Sequence, residues 1–99
     1  KFGVRAPMVG HMGDGNFHVV LPYDPAKKEM YKQIRAFNDT LIKKALELNG
    51  TITGEHGVGL HKKEYLLEQH PDNIPVMKSI KRTLDPNNIM NPGKIFDLN

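Results

Sequence analysis

Hydrophobic and polar positions change period along this chain, and the changes mark its elements. Met8 and Val9, then Phe17, Val19, Val20 and Leu21, are strand-favouring residues on either side of Asp14-Gly15. Residues 1–22 therefore predict strand, turn, strand. Asp-Gly suits a two-residue type I′ turn, which needs positive φ at both central positions. With Asp14 and Gly15 as the loop, Gly13 faces Asn16, Met12 faces Phe17, and His11 faces His18. The two-residue period puts Val9, His11, His18 and Val20 on one face and Met8, Met12, Phe17, Val19 and Leu21 on the other. The second face is bulkier and is expected to meet helices. The histidine face is expected to look into a cleft or toward a partner.

The period then lengthens. Ala26, Met30, Ile34, Phe37, Leu41, Ala45 and Leu48 recur at steps of four and three, predicting an amphipathic helix over residues 24–49. Asp24 is expected at its N-cap, Pro25 in its first turn and Gly50 as its C′ residue. Thr51-Ile52-Thr53 suits a short strand, and Gly54, Gly57 and Gly59 then surround Glu55-His56. Residues 60–70 predict a helix that buries Leu60, Tyr65, Leu66 and Leu67, with His61 and His70 solvated. Asp72 or Asn73 caps a further helix with Pro75 in its first turn and Val76, Met77, Ile80 and Leu84 as its apolar side. Asp85-Pro86 ends it, because the residue before proline avoids helical geometry. Residues 87–94 carry turn chemistry throughout, and Ile95-Phe96 reads as a closing strand or an anchor.

This order of elements is α+β: an antiparallel sheet with helices packed on one face. Ninety-nine residues make one small domain, and 38% hydrophobic content implies a modest core that leans on a partner surface. The chain opens on Lys1 rather than Met, with strand-like sequence close behind, so a single fragment of a longer protein, residues 1–99, is expected. No apolar run approaches the ~20 residues of a membrane-spanning helix.

Cysteine is absent, which excludes a disulfide framework and a thiolate zinc site and fits a reducing compartment. The formal charge of +3 is mild. Its lysines are spread over helix faces with no arginine cluster interleaved with aromatics, so nucleic acid is not an expected partner. Gly54, Gly57 and Gly59 match neither the dinucleotide fingerprint nor a P-loop.

The candidate chemistry lies off the helices. His11, His18 and Glu55 form a set of two imidazoles and one carboxylate, which leaves coordination positions open as catalytic metal sites do. Nitrogen and oxygen donors suit Zn²⁺ or Mn²⁺ equally well. His56, with an imidazole able to exchange protons near neutral pH, is left to take a substrate hydroxyl proton.

Three motifs, His11-Met12-Gly13-Asp14-Gly15-Asn16-Phe17-His18, Thr51-Ile52-Thr53-Gly54-Glu55-His56-Gly57-Val58-Gly59, and Asp85-Pro86 with Asn91-Pro92-Gly93-Lys94, resemble the C-terminal part of FAD-linked oxidases of the vanillyl-alcohol oxidase type. D-lactate dehydrogenases, glycolate oxidase flavin subunits and D-2-hydroxyglutarate dehydrogenases belong there. The resemblance runs from about Val9 to Phe96. It implies the C-terminal portion of a substrate (cap) domain plus terminal helices, with FAD held mainly by an N-terminal domain that these residues lack. It implies oxidation of a D-2-hydroxy acid to a 2-oxo acid with hydride transfer to FAD, and an inactive fragment when alone. Residues matching His11, His18 and Glu55 bind Zn²⁺ or a similar ion in metal-using members. The residue matching His56 lies at the substrate as candidate base, Asn16 is a candidate substrate contact, and Asn91 a candidate cofactor contact. Expected partners are the hydroxy acid, the chain's own FAD-binding domain and an electron acceptor of open identity. The expected compartment is cytoplasmic, with peripheral membrane attachment and homo-oligomerisation left open.

The competing reading is a non-catalytic module that binds a metal for structure or docks another protein. A structural zinc site would be closed by four protein ligands, whereas the set here is three.

Overall fold

The computed structural model describes residues 4–99; the part of the expected first strand that falls on residues 1–3 lies outside them. The elements are β1 (Met8–His11), a single 3₁₀ turn (Met12–Asp14), β2 (Asn16–Val19), α1 (Lys28–Glu47), α2 (Lys63–Gln69) and α3 (Ile74–Leu84). β1 and β2 form a two-stranded antiparallel sheet. The described residues divide into two compact units, one ending at Glu55 and the other running from His56 to Asn99. The architecture is α+β, as the periodicities predict.

In the first unit, α1 turns Ile34 and Ile42 inward, with Met30, Phe37, Leu41, Ala45 and Leu46 half-buried. The buried arc is wider than the predicted stripe: Ile42 and Leu46 join it, while Leu48 is 71% exposed. The expected start of the helix is also corrected. Asp24 accepts from the Ala26 N–H through its side chain at 3.0 Å and from the Lys27 N–H through its carbonyl at 2.9 Å. Asp24-Pro25 thus closes a turn of its own, for which an aspartate followed by proline is well suited, and α1 begins beyond it.

At the other end, the residue in left-handed geometry is Asn49 (φ 62), not Gly50. The Gly50 N–H reaches Ala45 O at 2.7 Å and the Asn49 N–H reaches Leu46 O at 3.0 Å. This bond pair defines a Schellman motif, with Asn49 at C′ and Gly50 one residue later.

Thr51-Ile52-Thr53 forms no strand. Ile52 is buried at 6% exposure and anchors the segment, while the Thr51 hydroxyl donates to Thr53 O at 2.8 Å. The bulky hairpin face is only partly covered: Val19 and Leu21 are half-buried, but Met8, Met12 and Phe17 are exposed.

In the second unit, Leu66 of α2 and Ile74 of α3 are buried. α3 starts after Asn73, with Pro75 in its first turn, and ends at Asp85-Pro86 as expected. Its inward side differs from the expectation. Val76, Ile80 and Leu84 are exposed, whereas Met77, Lys78 and Lys81 are half-buried. The cause lies at Asp85, which is buried and accepts hydrogen bonds from Lys81 Nζ and from the N–H groups of Ile89 at 3.1 Å and Met90 at 2.9 Å. Lys81 also donates to Met90 O. With Lys81 drawn inward, Val76, Ile80 and Leu84 lie on the exposed flank of α3.

The C-terminal stretch is an anchor rather than a strand. Lys63 Nζ holds Gly93 O at 3.0 Å and Asp97 Oδ1 at 2.8 Å, Arg82 donates to Leu98 O, and the Ile95 N–H reaches Gly59 O at 2.7 Å.

The Lys81 hydrogen bond lowers the Asp85 carboxyl below its ordinary value of 3.8; burial opposes this, and the Met90 and Ile89 N–H groups reinforce it. A carboxylate lowered on folding stabilises the fold above its unfolded pKa, and that contribution is lost as pH falls through the folded one. Thermal melts should therefore show stability falling as pH drops below about 4. Asp85→Asn should lower the melting temperature at pH 7 and flatten the acid limb. An unchanged acid limb would contradict this role.

Candidate functional site

The hairpin turn sets the site. Of Asp14 and Gly15, only Gly15 has positive φ, at 68°. Asp14 instead belongs to the 3₁₀ turn, which closes through the Gly15 N–H to Met12 O at 3.1 Å. The loop is four residues long, a class most often built around a type I turn. The register follows: Met8 pairs with Val19, Val9 with His18, Gly10 with Phe17, and His11 with Asn16. The expected opposition of His11 and His18 is thereby corrected. The slip is two residues, so face parity survives and both histidines stay on one face as diagonal neighbours.

At Gly10 the strands leave no room for a side chain. A Cβ there would sit 2.4 Å from Asn16 O and 2.5 Å from Phe17 Cα. The absence of a side chain on β1 lets β2 lie against it.

His18 is half-buried, and its Nε2 lies 2.7 Å from Glu55 Oε1. The side chains are 32% and 44% exposed. At that exposure even a charged pair contributes only about 0–1 kcal/mol to stability, so the contact matters for placing the groups rather than for holding the fold. A strand imidazole and a loop carboxylate from well-separated segments thus share one spot.

Glu55 arrives on a segment fixed from behind by buried Ile52 and from the side by Asn16. A Cβ at Gly54 would stand 1.9 Å from Asn16 Oδ1, so the Asn16 carboxamide lies directly on the Gly54 backbone. Sequence reasoning missed this contact. Thr53 Oγ1 is buried with no hydrogen-bond partner among the described residues.

The other predicted residues are placed as follows. His11 is exposed opposite Asn16. His56 is exposed, follows Glu55 directly and opens the second unit. Gly57 (φ 80) and Gly59 (φ 57) supply left-handed turns just beyond it. Asn91 is exposed with φ 46, in a stretch where Asn88, Gly93 and Ile95 also have positive φ. A cleft of about 220 Å³ in the second unit, lined by Lys63, Leu67, Ile74, Lys78 and Phe96 among others, contains none of the predicted site residues.

The class that the structure defines is an α+β domain whose hairpin histidine, His18, meets a loop carboxylate, Glu55. The particular family follows from comparison with known proteins. Residues 1–95 match the family "FAD linked oxidases, C-terminal domain", and the chain belongs to it. It is 45% identical over 96 residues to the probable mitochondrial D-lactate dehydrogenase of Danio rerio, covering 96% of this chain and 19% of that protein. It is 41% identical over 97 residues to the glycolate oxidase subunit GlcD of Bacillus subtilis (strain 168), covering 97% and 21% respectively. It is also 42% identical over 90 residues to the D-2-hydroxyglutarate dehydrogenase of Stutzerimonas stutzeri (strain A1501), covering 88% and 19%. The chain thus spans about a fifth of the length of these relatives. No solved structure matches it. Among the described residues, no helix is long and apolar enough to cross a membrane.

Two substitutions test the packing around the pair. Gly10→Ala should destabilise the fold by about 1–3 kcal/mol through overpacking, read as a lower midpoint in chemical denaturation; an unchanged midpoint would contradict the close strand approach. Thr53→Val removes a buried hydroxyl whose unmet bond costs about 1–3 kcal/mol, so it should leave the midpoint unchanged or raise it. A clear fall would show that the hydroxyl has a partner.

Proposed function

We propose that this chain forms the substrate-side, C-terminal part of a FAD-dependent dehydrogenase that oxidises a D-2-hydroxy acid to the 2-oxo acid. The observation that carries the reading is the His18–Glu55 contact, set within a family whose relatives are named for D-lactate, glycolate and D-2-hydroxyglutarate. When bound, the flavin supplies the acceptor for the hydride that leaves C2. The match to the C-terminal domain of FAD linked oxidases supports a flavin held mainly by a separate FAD-binding domain, with Asn91 as a contact from this chain.

His56 is the proposed base. It takes the hydroxyl proton as the C2 hydride departs, so that one proton and one hydride leave together and the carbonyl forms. Asn16 is the proposed substrate contact, able to donate or accept through its carboxamide.

His18, Glu55 and His11 are the proposed ligands of a divalent ion, Zn²⁺ or Mn²⁺. The donor chemistry fits: one carboxylate and imidazole nitrogens, with no thiolate, suit either ion. The ion would act as a Lewis acid toward a substrate oxygen. At 2.7 Å, His18 and Glu55 are in direct hydrogen-bond contact, so ion binding requires them to part slightly.

The proposed partner surface for the FAD-binding domain includes Val76, Ile80 and Leu84. Their spacing of four puts them on one side of α3, and all three are more than half exposed. The proposed compartment is the cytoplasm; the Danio rerio relative is named as mitochondrial.

Two measurements test this. Calorimetric titration with Zn²⁺ should show binding that weakens at least tenfold in His18→Ala, Glu55→Ala and His11→Ala. Equal affinity in all of them would remove the metal site, and a closed four-ligand site with a large rise in melting temperature would favour a structural module. In the flavin-loaded longer polypeptide, His56→Ala should lower kcat on the preferred 2-hydroxy acid by about 10²–10⁴-fold. Undiminished turnover would rule out His56 as the base.

A further inference from the structure

The three glycines around Glu55-His56 are present for different reasons. Gly57 and Gly59 have positive φ, where a side chain is strained by backbone geometry. Gly54 does not belong with them. It lacks positive φ, and its constraint is spatial: an added Cβ would lie 1.9 Å from Asn16 Oδ1 and 2.7 Å from Asn16 Cγ.

Asn16 sits at the start of β2, paired with His11 and two residues before His18. The two-residue period puts Asn16 and His18 on one face of the strand. Gly54 immediately precedes Glu55. The Asn16–Gly54 contact and the His18–Glu55 contact therefore join the same two segments side by side.

We propose that Gly54 is a positioning residue whose missing side chain lets the Asn16 carboxamide clamp the loop, setting Glu55 against His18. The clamp serves the metal and substrate site proposed above and so rests on that reading for its function, though not for its geometry. Ile52 fixes the loop from its buried side; Asn16 fixes it from the strand side. Any side chain at position 54 displaces the carboxamide or the backbone, and Glu55 moves with it. The constraint is mutual, so shortening Asn16 makes room for a methyl group at position 54.

The test is steric rescue in the 99-residue chain. Three readouts apply to the wild type, Gly54→Ala, and the double variant Gly54→Ala with Asn16→Ala: the amide correlation spectrum, the ring-proton shifts of His18, and Zn²⁺ affinity by calorimetry. Gly54→Ala should shift the His18 ring signals and weaken Zn²⁺ binding at least tenfold. The double variant should return the ring signals toward wild type and recover most of the affinity. If Gly54→Ala fails to fold, recovery of a native amide spectrum in the double variant supports the clamp equally. Gly54→Ala behaving as wild type, or a defect that Asn16→Ala does not relieve, would overturn the clamp. Wild-type protein that binds no Zn²⁺, with ring signals that still follow the rescue pattern, would sink the metal reading and leave the clamp standing.

Discussion

The His18 imidazole meets a carboxylate rather than a second imidazole because the hairpin turns through four residues instead of two. In the shorter turn, His18 would stand directly opposite His11. In the longer one it stands opposite Val9, and its ring is left to meet Glu55 at 2.7 Å. Gly15 makes this possible by taking the left-handed conformation that ends the 3₁₀ turn. Gly10 and Gly54 then allow the approaches on either side, one between strands and one between strand and loop. The site is a product of three glycines with three different tasks.

The structure puts little stabilisation into this region. The hairpin has only two strands, a size marginal on its own in water. Met8, Val9 and Met12 are more than 60% exposed. Buried apolar side chains are found instead in α1, at Ile52, and in the α2–α3 unit. The candidate site therefore sits on the less buried part of the first unit.

Much of this was legible in residue order. α3 was bounded at both ends, by Asn73 with Pro75 and by Asp85-Pro86, because those signals act through the local backbone. Face parity on the hairpin was legible because strand side chains alternate, and a two-residue slip preserves that alternation. The turn type was not legible: Asp-Gly tolerates positive φ at both positions but does not require it. The start of α1 was misplaced because Asp24-Pro25 serves a free-standing turn as well as a helix cap. The inward side of α3 is not legible from its apolar spacing, because Lys81 is drawn in by buried Asp85. The Asn16–Gly54 contact left no local trace, since it joins segments separated by the whole of α1.

The site exists only if His18 and Glu55 are neighbours in solution. Nuclear Overhauser contacts between the His18 ring protons and the Glu55 γ-methylene test this most directly. The structure predicts strong contacts from Glu55 to His18 and weak or absent ones to His11. Glu55 contacts to His11 in their place, or a His18 ring touching only strand neighbours, would contradict it.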